Sequence, residues 1–540
     1  MSKVFNLSRS SRLIVTSLPK SDFLEADGIT NKLAYNSAGG DTKWTGSLPA
    51  FSPKNTFRIN ILDGYNFGQQ TTSQEVTITE AGRTPIRGQK IFNTALEPAE
   101  VSFSTYARPF ILGNTTGNIY SAGANDFLAT CGEAVLWASF VQGAALYDDG
   151  GQKWTLPAND LVDYSSRAGD AAIAIGGTNY TNEGINATKN FLSRATEGDS
   201  ATAAVASDLG FNIDFKFSNV HELYTLQFIF VLDKTAYLVT DVMLNEVTLN
   251  FDIEGIGTLE WSGQGKGVVE YPALYELFGE DKVADGTGQT HPGTKHSLFG
   301  FDNTGTVSIG ELNILTPVPD ILNPPPSPNW ANYCSLCRPT PDNADFLKTK
   351  LSGVLVASRS LTVNNDFPKY NLALTGGNIT ITNNVTYLTP EELAKVNKPI
   401  GAFTGTRTVS GTINAYLCKA SAGDPNRYTA ELLGDIASDT NTVTHNFDIY
   451  ICVGGGVYNE SWDSADGEYT SPPTAEEGTI LFHLSSAHLT VPTFNVEDVL
   501  STEIQFTGLG SDGNISNADE VTIMYTPTAV SSVNTAVELA

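Results

Sequence analysis

Cys334 and Cys337 flank Ser335–Leu336, the spacing of half a zinc knuckle or of a redox dithiol. Neither chemistry is completed. The other cysteines, at 131, 418 and 452, are far off, no second pair of this spacing exists, and no histidine pair lies near. The motif also adjoins a proline-rich stretch, not a strand-to-helix turn, so two structural thiols are the plainer reading. The histidines at 221, 291, 296, 445, 483 and 488 are scattered. Glycosidase-like carboxylate pairs can be drawn from Asp241, Glu246 and Asp252 or from Glu497 and Asp498. With 59 acidic residues in 540, adjacency by chance is the default. There is no nucleophile elbow, HExxH, phosphate-binding loop or dinucleotide fingerprint. Asp302–Gly305 and Ser511–Glu520 are acidic turns that miss the frame of a calcium loop. The reading is of no enzyme, no metal and no cofactor.

Composition points the same way. Acidic residues outnumber basic ones 59 to 31, a net charge of −28. Such a surface repels phosphates and does not seek nucleic acid. Against that background Arg83, Arg87 and Lys90, in the Gly/Arg/Pro stretch 81–90, stand out. They fit either a solvated loop or one that docks on an acidic neighbour. A second polar loop, 389–398, carries Glu391, Glu392 and Lys395. The polar start MSKVFNLSRSS is unlike a signal peptide, and no apolar run reaches the ~18 residues of a membrane span.

Ser, Thr, Asn and Gly dominate and long 3.6-residue periodicity is lacking, which predicts a mainly β protein. At this length more than one core is expected. Tyr237–Gly265 recurs, without a gap, as Phe482–Gly510. Leu244 matches Leu489, Asn250 matches Asn495, Trp261 matches Phe506, and Gly263 and Gly265 match Gly508 and Gly510. His483 and His488 fall where the first copy has Leu238 and Met243, which argues against a catalytic role for either. Upstream, 76–79 (VTIT) resembles 379–382 (ITIT), Pro85–Ile86 resembles Pro399–Ile400, and 102–106 resembles 412–416. Two blocks in one order predict an internal duplication. The first domain is placed at 1–315, with an N-terminal arm and an inserted segment at about 112–200. A stiff linker at 316–342 carries Pro324–Pro326, the second domain is 343–527, and 528–540 is a frayed tail. The best helix is expected over 125–147.

The run NITITNNVTYL (378–388), the loop ending at Pro399–Ile400, GTRTVSGTINAYL (405–417) and HLTVPTFNVEDVLSTEIQFTGLGS (488–511) together resemble the tail tube (major tail) proteins of tailed bacteriophages. The resemblance is strongest over 350–525, weaker over 55–270 and absent over 112–200. It implies two tandem β-sandwich, barrel-forming domains, each with a short flanking helix. It also implies a virion protein, assembled in the bacterial cytoplasm and similar to fused trimeric tube proteins whose stacked rings conduct the genome. The implied partners are copies of itself, other tail components (sheath or terminator, tape measure, baseplate) and passing duplex DNA held without specific contacts. Another virion component, from capsid decoration or baseplate, and a carbohydrate-binding or adhesive β-protein are the alternatives. Stoichiometry can be checked by geometry. Four strands from each of six domains, ~24 at ~4.8 Å spacing and ~45° tilt, close at a backbone diameter of ~50 Å. Side chains leave a bore near ~40 Å, ample for a duplex about 20 Å across, whereas half as many strands leave too little.

Overall fold

A computed structural model describes 11–32, 56–107, 133–141, 223–271, 349–358, 367–454, 480–510 and 520–525, with short breaks inside these ranges, and several isolated short strands. The linker, the Cys334–Cys337 motif, Lys395 and the tail lie outside the described residues, as does 301–315, whose sequence predicts a further strand.

The first half contains β1 (Ser11–Thr16), β2 (Thr56–Ile59), β3 (Asn66–Glu80), β4 (Ile86–Tyr106), α1 (Ala134–Val141), β5 (Leu226–Leu232), β6 (Thr235–Asp252), β7 (Thr258–Gly265) and β8 (Gly267–Tyr271). The second contains β9 (Gly353–Ser358), β10 (Lys369–Asn371), β11 (Leu374–Thr382), β12 (Val385–Leu388), β13 (Gly401–Thr404), β14 (Thr408–Tyr416), α2 (Thr429–Ser438), β15 (Phe447–Val453), β16 (Ile480–Leu489), β17 (Ser501–Gly508) and β18 (Thr522–Tyr525).

Both halves pair their strands in one pattern. In the first, β2–β1–β5–β6–β8 form one layer and β3–β4–β7–β6 the other, with long β6 passing from layer to layer. In the second, β10–β9–β15–β16–β18 and β11–β14–β17–β16 repeat this order. Each of these pairings is antiparallel. The layers β3–β4–β7–β6 and β11–β14–β17–β16 bury one face, which explains the alternation read in the sequence, whereas β5 and β15 of the other layers are buried on both.

The second layers of the two halves join. The outer edge of β6 pairs with β11 over seven residues, Glu246↔Thr382 to Asp252↔Gly376. The result is one eight-stranded wall, β3–β4–β7–β6–β11–β14–β17–β16. Across the seam Thr248 and Thr380 share a 2.9 Å hydroxyl bond, Thr382 donates to Glu246, and the Asn383 N–H donates to the Asn245 carbonyl at 2.7 Å. Buried side chains of both halves form one connected cluster, from Leu13 to Ile523.

Trp261 (β7) and Phe506 (β17) fill the same place by different means. Trp261 is 1% exposed and packs edge-on against Trp137 and Phe140 of α1. Phe506 lies opposite Gly411, whose missing Cβ leaves room for the ring. A Cβ at 411 would overlap the Asn378 carbonyl oxygen and that ring. Gly411→Val is therefore expected to cost about 1–3 kcal/mol or more in thermal unfolding. The control Gly434→Ala, in α2 with open space around it, is expected to be neutral or stabilising by up to ~1 kcal/mol.

Several sequence expectations need correction. The helix expected over 125–147 covers only Ala134–Val141 among the described residues, after a short strand at Ala129–Thr130. Gly132 and Gly143 punctuate the apolar run, and α1 is buried at 135–137, 139 and 140. The likeness of 76–79 to 379–382 is not a positional equivalence. Residues 379–382 stand in the wall, while 76–79 lie beyond it, paired with 87–90. The stretch 81–90 is a loop only at its start, since Ile86–Lys90 open β4.

Candidate functional site: the polar face and the arms of the wall

Along each wall strand, alternate residues enter the core and the others face away from it. The outward set reads Glu100, Ser102, Ser104 on β4; Thr258, Glu260, Ser262 on β7; Glu246, Thr248, Asn250, Asp252 on β6. In the second half it continues as Asn378, Thr380, Thr382 on β11; Thr408, Ser410, Thr412, Asn414 on β14; Glu503, Gln505, Thr507 on β17. Register aligns them into rows. One runs Ser104, Glu260, Thr248, Thr380, Ser410, Thr507 and His488, crossing both halves.

The face carries carboxylates at Glu100, Glu246, Asp252, Glu260 and Glu503, and no lysine or arginine among the described residues. The carboxylates are spread, not paired for catalysis. Asn250 donates to Glu260 at 2.9 Å, and Gln505 donates to Glu503 at 3.4 Å. No group of three or more His, Cys, Asp or Glu is placed to hold a metal among the described residues. Such a face is hydrated and acidic, and offers a polyanion nothing to grip. Sequence reading singled out Glu246 and Asp252 only as a carboxylate pair and Asn250 only as part of the repeat, and missed their common face, although the signal was there: Ser, Thr, Glu and Asn at every second position of each strand.

The wall has an upper end, where β4 and β7 meet at Ala99↔Gly265, and a lower end at Tyr106↔Thr258. Both inter-strand hairpins leave from the upper end. The long arm comprises 71–80 of β3 and 86–96 of β4, and the short arm is β12–β13 with its turn. The loop of the short arm reaches the base of the long one, where the Leu96 N–H donates to the Asn397 carbonyl and the Asn397 N–H to that of Thr94. The short arm is rooted by Tyr387, whose hydroxyl donates to the Asp241 carbonyl, and by Val385 N–H on Asn245 Oδ1. Burial raises the Tyr387 pKa, with Asp241 adding to it. Arg407, at the root of β14, is held by Glu520 at 2.6 Å, and burial lowers its pKa against that partner. Lys20 sits at the upper end too. Burial lowers its pKa, Asp241 opposes this, and Lys266 and Lys398 reinforce it.

Arg83, Arg87 and Lys90 are all exposed on the long arm, and Glu391 and Glu392 are exposed on the short one. The repeated-unit residues are placed otherwise. Leu244, Trp261, Leu489 and Phe506 enter the core, Asn250 faces outward, and Asn495 closes a short strand beside β17. Gly263, Gly265 and Gly508 sit where a Cβ would press on a neighbour. His483 is bound to Asp448 at 2.8 Å under the ring of Tyr450, whereas His488 is on the polar face.

No family model matches the chain. Over 458 residues it is 26% identical to the tail tube protein pb6 of Escherichia phage T5, an alignment covering 85% of this chain and 69% of that protein.

Proposed function

With the chain a relative of a phage tail tube protein, we propose that it is the tube subunit of a phage tail and that three copies close into a ring whose inner surface is the polar face of the wall. The observation that carries this is the eight-stranded wall running unbroken through both halves. Its two lateral edges, β3 at 66–69 and the end of β16 with Thr493–Asn495, have no partner strand on their outer sides among the described residues. Unpaired edges invite another strand, and a closed barrel removes them. Three walls supply ~24 strands and a bore of ~40 Å. The outer layers and both helices lie on the core side, so closure turns the carboxylates and hydroxyls toward the axis.

In this reading the half-and-half division is the sixfold wall made from three chains, with the first tube domain at 1–315 and the second at 343–527. The acidic lumen lets duplex DNA slide through during ejection without adsorbing. Both arms point at the neighbouring ring, and the assembled tube joins the other tail proteins after assembly in the host cytoplasm. No described helix is long and apolar enough to cross a membrane.

Sizing and negative-stain microscopy of the pure protein test the ring. The expected species has three times the 57.7 kDa of one chain, appears as rings or tubes with a central hole, and shows threefold mass symmetry. A stable monomer, or discs with no hole, would overturn it.

A further inference from the structure

Beyond its contact with Asn397, the long arm is a two-stranded ribbon with both faces open among the described residues. Residues 71–77 and 87–93 are all exposed. A ribbon of this kind is at best marginally stable alone in water. Cross-strand pairing puts Val76 opposite Lys90 and Gln74 opposite Phe92, so Val76, Ile78, Lys90 and Phe92 share one face. Val76 is 40% exposed and Phe92 48%. Among the described side chains that face carries three apolar groups, Val76, Ile78 and Phe92, with one cation, Lys90, and one amide, Gln74.

A complementary surface lies at the opposite end of the wall. Where β6 meets β11, a groove of about 640 Å³ is lined by Phe251, Asp252, Ile253, Ile256, Asn250 and Asn378, among others, with Asp252 its one charged residue. Ile253 and Ile256 are 42% and 41% exposed. Within a groove otherwise lined mostly by amides, hydroxyls and glycines, the exposed Ile253 and Ile256 beside the Asp252 carboxylate match Val76, Ile78 and Phe92 beside the Lys90 ammonium. Because stripe and groove sit at opposite ends of the same wall, the match is head to tail, and such contacts propagate along an axis. The arm is long enough to leave its own ring, since Val76 and Phe92 are ~17–24 Å up it from the wall.

We propose that the stripe Val76, Ile78, Phe92 and Lys90 of each chain seats in the β6–β11 seam groove of a chain in the next ring. This rests on the ring reading above and adds the acceptor. It has a consequence for symmetry. Long arm and intrachain seam each occur once per chain, so rings index by true threefold steps although the wall is nearly sixfold.

The test uses assembled full-length protein. Phe92→Asp, which sends a carboxylate into a groove already holding Asp252, is expected to leave rings intact and reduce tubes at least about tenfold by microscopy. Lys90→Glu and Asp252→Lys are each expected to weaken stacking, and the double exchange to restore it. Val76→Cys with Ile256→Cys, oxidised in tubes and read against each single variant, should give a ladder of linked chains running past three. A ladder that stops at three puts the arm inside its own ring, and undiminished tubes from Phe92→Asp remove the groove as acceptor. Either result overturns the proposal while rings with a central hole still stand. Absence of rings in the parent protein overturns both.

Discussion

In the proposed ring, replacing Glu246 and Glu260 by lysine is expected to turn a passage that does not retain DNA into one that does. Both carboxylates lie on the polar face, where the described residues include no cation. Two substitutions per chain place six ammonium groups around the axis of a three-chain ring, within reach of a duplex. A surface making six to ten phosphate contacts gains affinity that falls by ~10³–10⁵ between 50 and 200 mM salt. Parent tubes should therefore retain no labelled duplex at either salt. Variant tubes should retain it at the lower concentration and release it at the higher. The loss of the Thr382–Glu246 and Asn250–Glu260 bonds is a local change at a wet surface, so rings should still form. Equal retention by parent and variant would mean that this face does not line the passage.

The second large effect is expected at Trp261. It is 1% exposed, its ring centroid lies 4.9 Å from that of Trp137 and 6.2 Å from that of Phe140, and its Nε1 donates to Thr105 at 3.4 Å. Truncation to alanine leaves a cavity where wall, helix and core meet, and buried aromatic truncations cost about 3–5 kcal/mol. It also strips the packing that holds α1 against the sheet. The expected outcome is a clear drop in unfolding temperature and a large loss of assembled rings. Trp261→Phe keeps most of the volume, as Phe506 does in the other half, and should recover most of both. Comparable stability of the alanine and phenylalanine variants would show that this contact does not hold the two layers together.

Much of the wall was legible in the sequence because its signal is local. Period-two alternation in Leu259–Trp261 and Ile504–Phe506 reports one buried face, and the recurrence of the whole 237–265 unit at 482–510 reports the duplicated strand pair. The seam between β6 and β11 was not legible, since a pairing between residues 246–252 and 376–382 leaves no local mark. The polar face was readable but unread: hydroxyls and carboxylates at alternate positions look like ordinary solvent exposure until the strands align in rows. A short helix in each half is implied by the family resemblance, but the place of α2 was not legible, for a chemical reason. Its N-terminal N–H, at Tyr428, is capped by Glu431 reaching back at 3.0 Å, but a tyrosine stands where a serine or threonine would have announced the cap. The overlong helix around α1 failed in the opposite way, because a buried apolar run was taken for a continuous helical stripe.

In the proposed ring, having both wall segments in one polypeptide also alters how the assembly comes together. A sixfold wall built from separate subunits needs six encounters between freely diffusing molecules, each costing translational and rotational freedom. Here the β6–β11 joint forms within the chain, at the effective concentration set by the connecting segment and not by the bulk concentration. Only the remaining joints depend on bulk concentration, so nucleation should be third order in protein where an unfused relative would be sixth. Rings of the fused form should accordingly persist to far greater dilution.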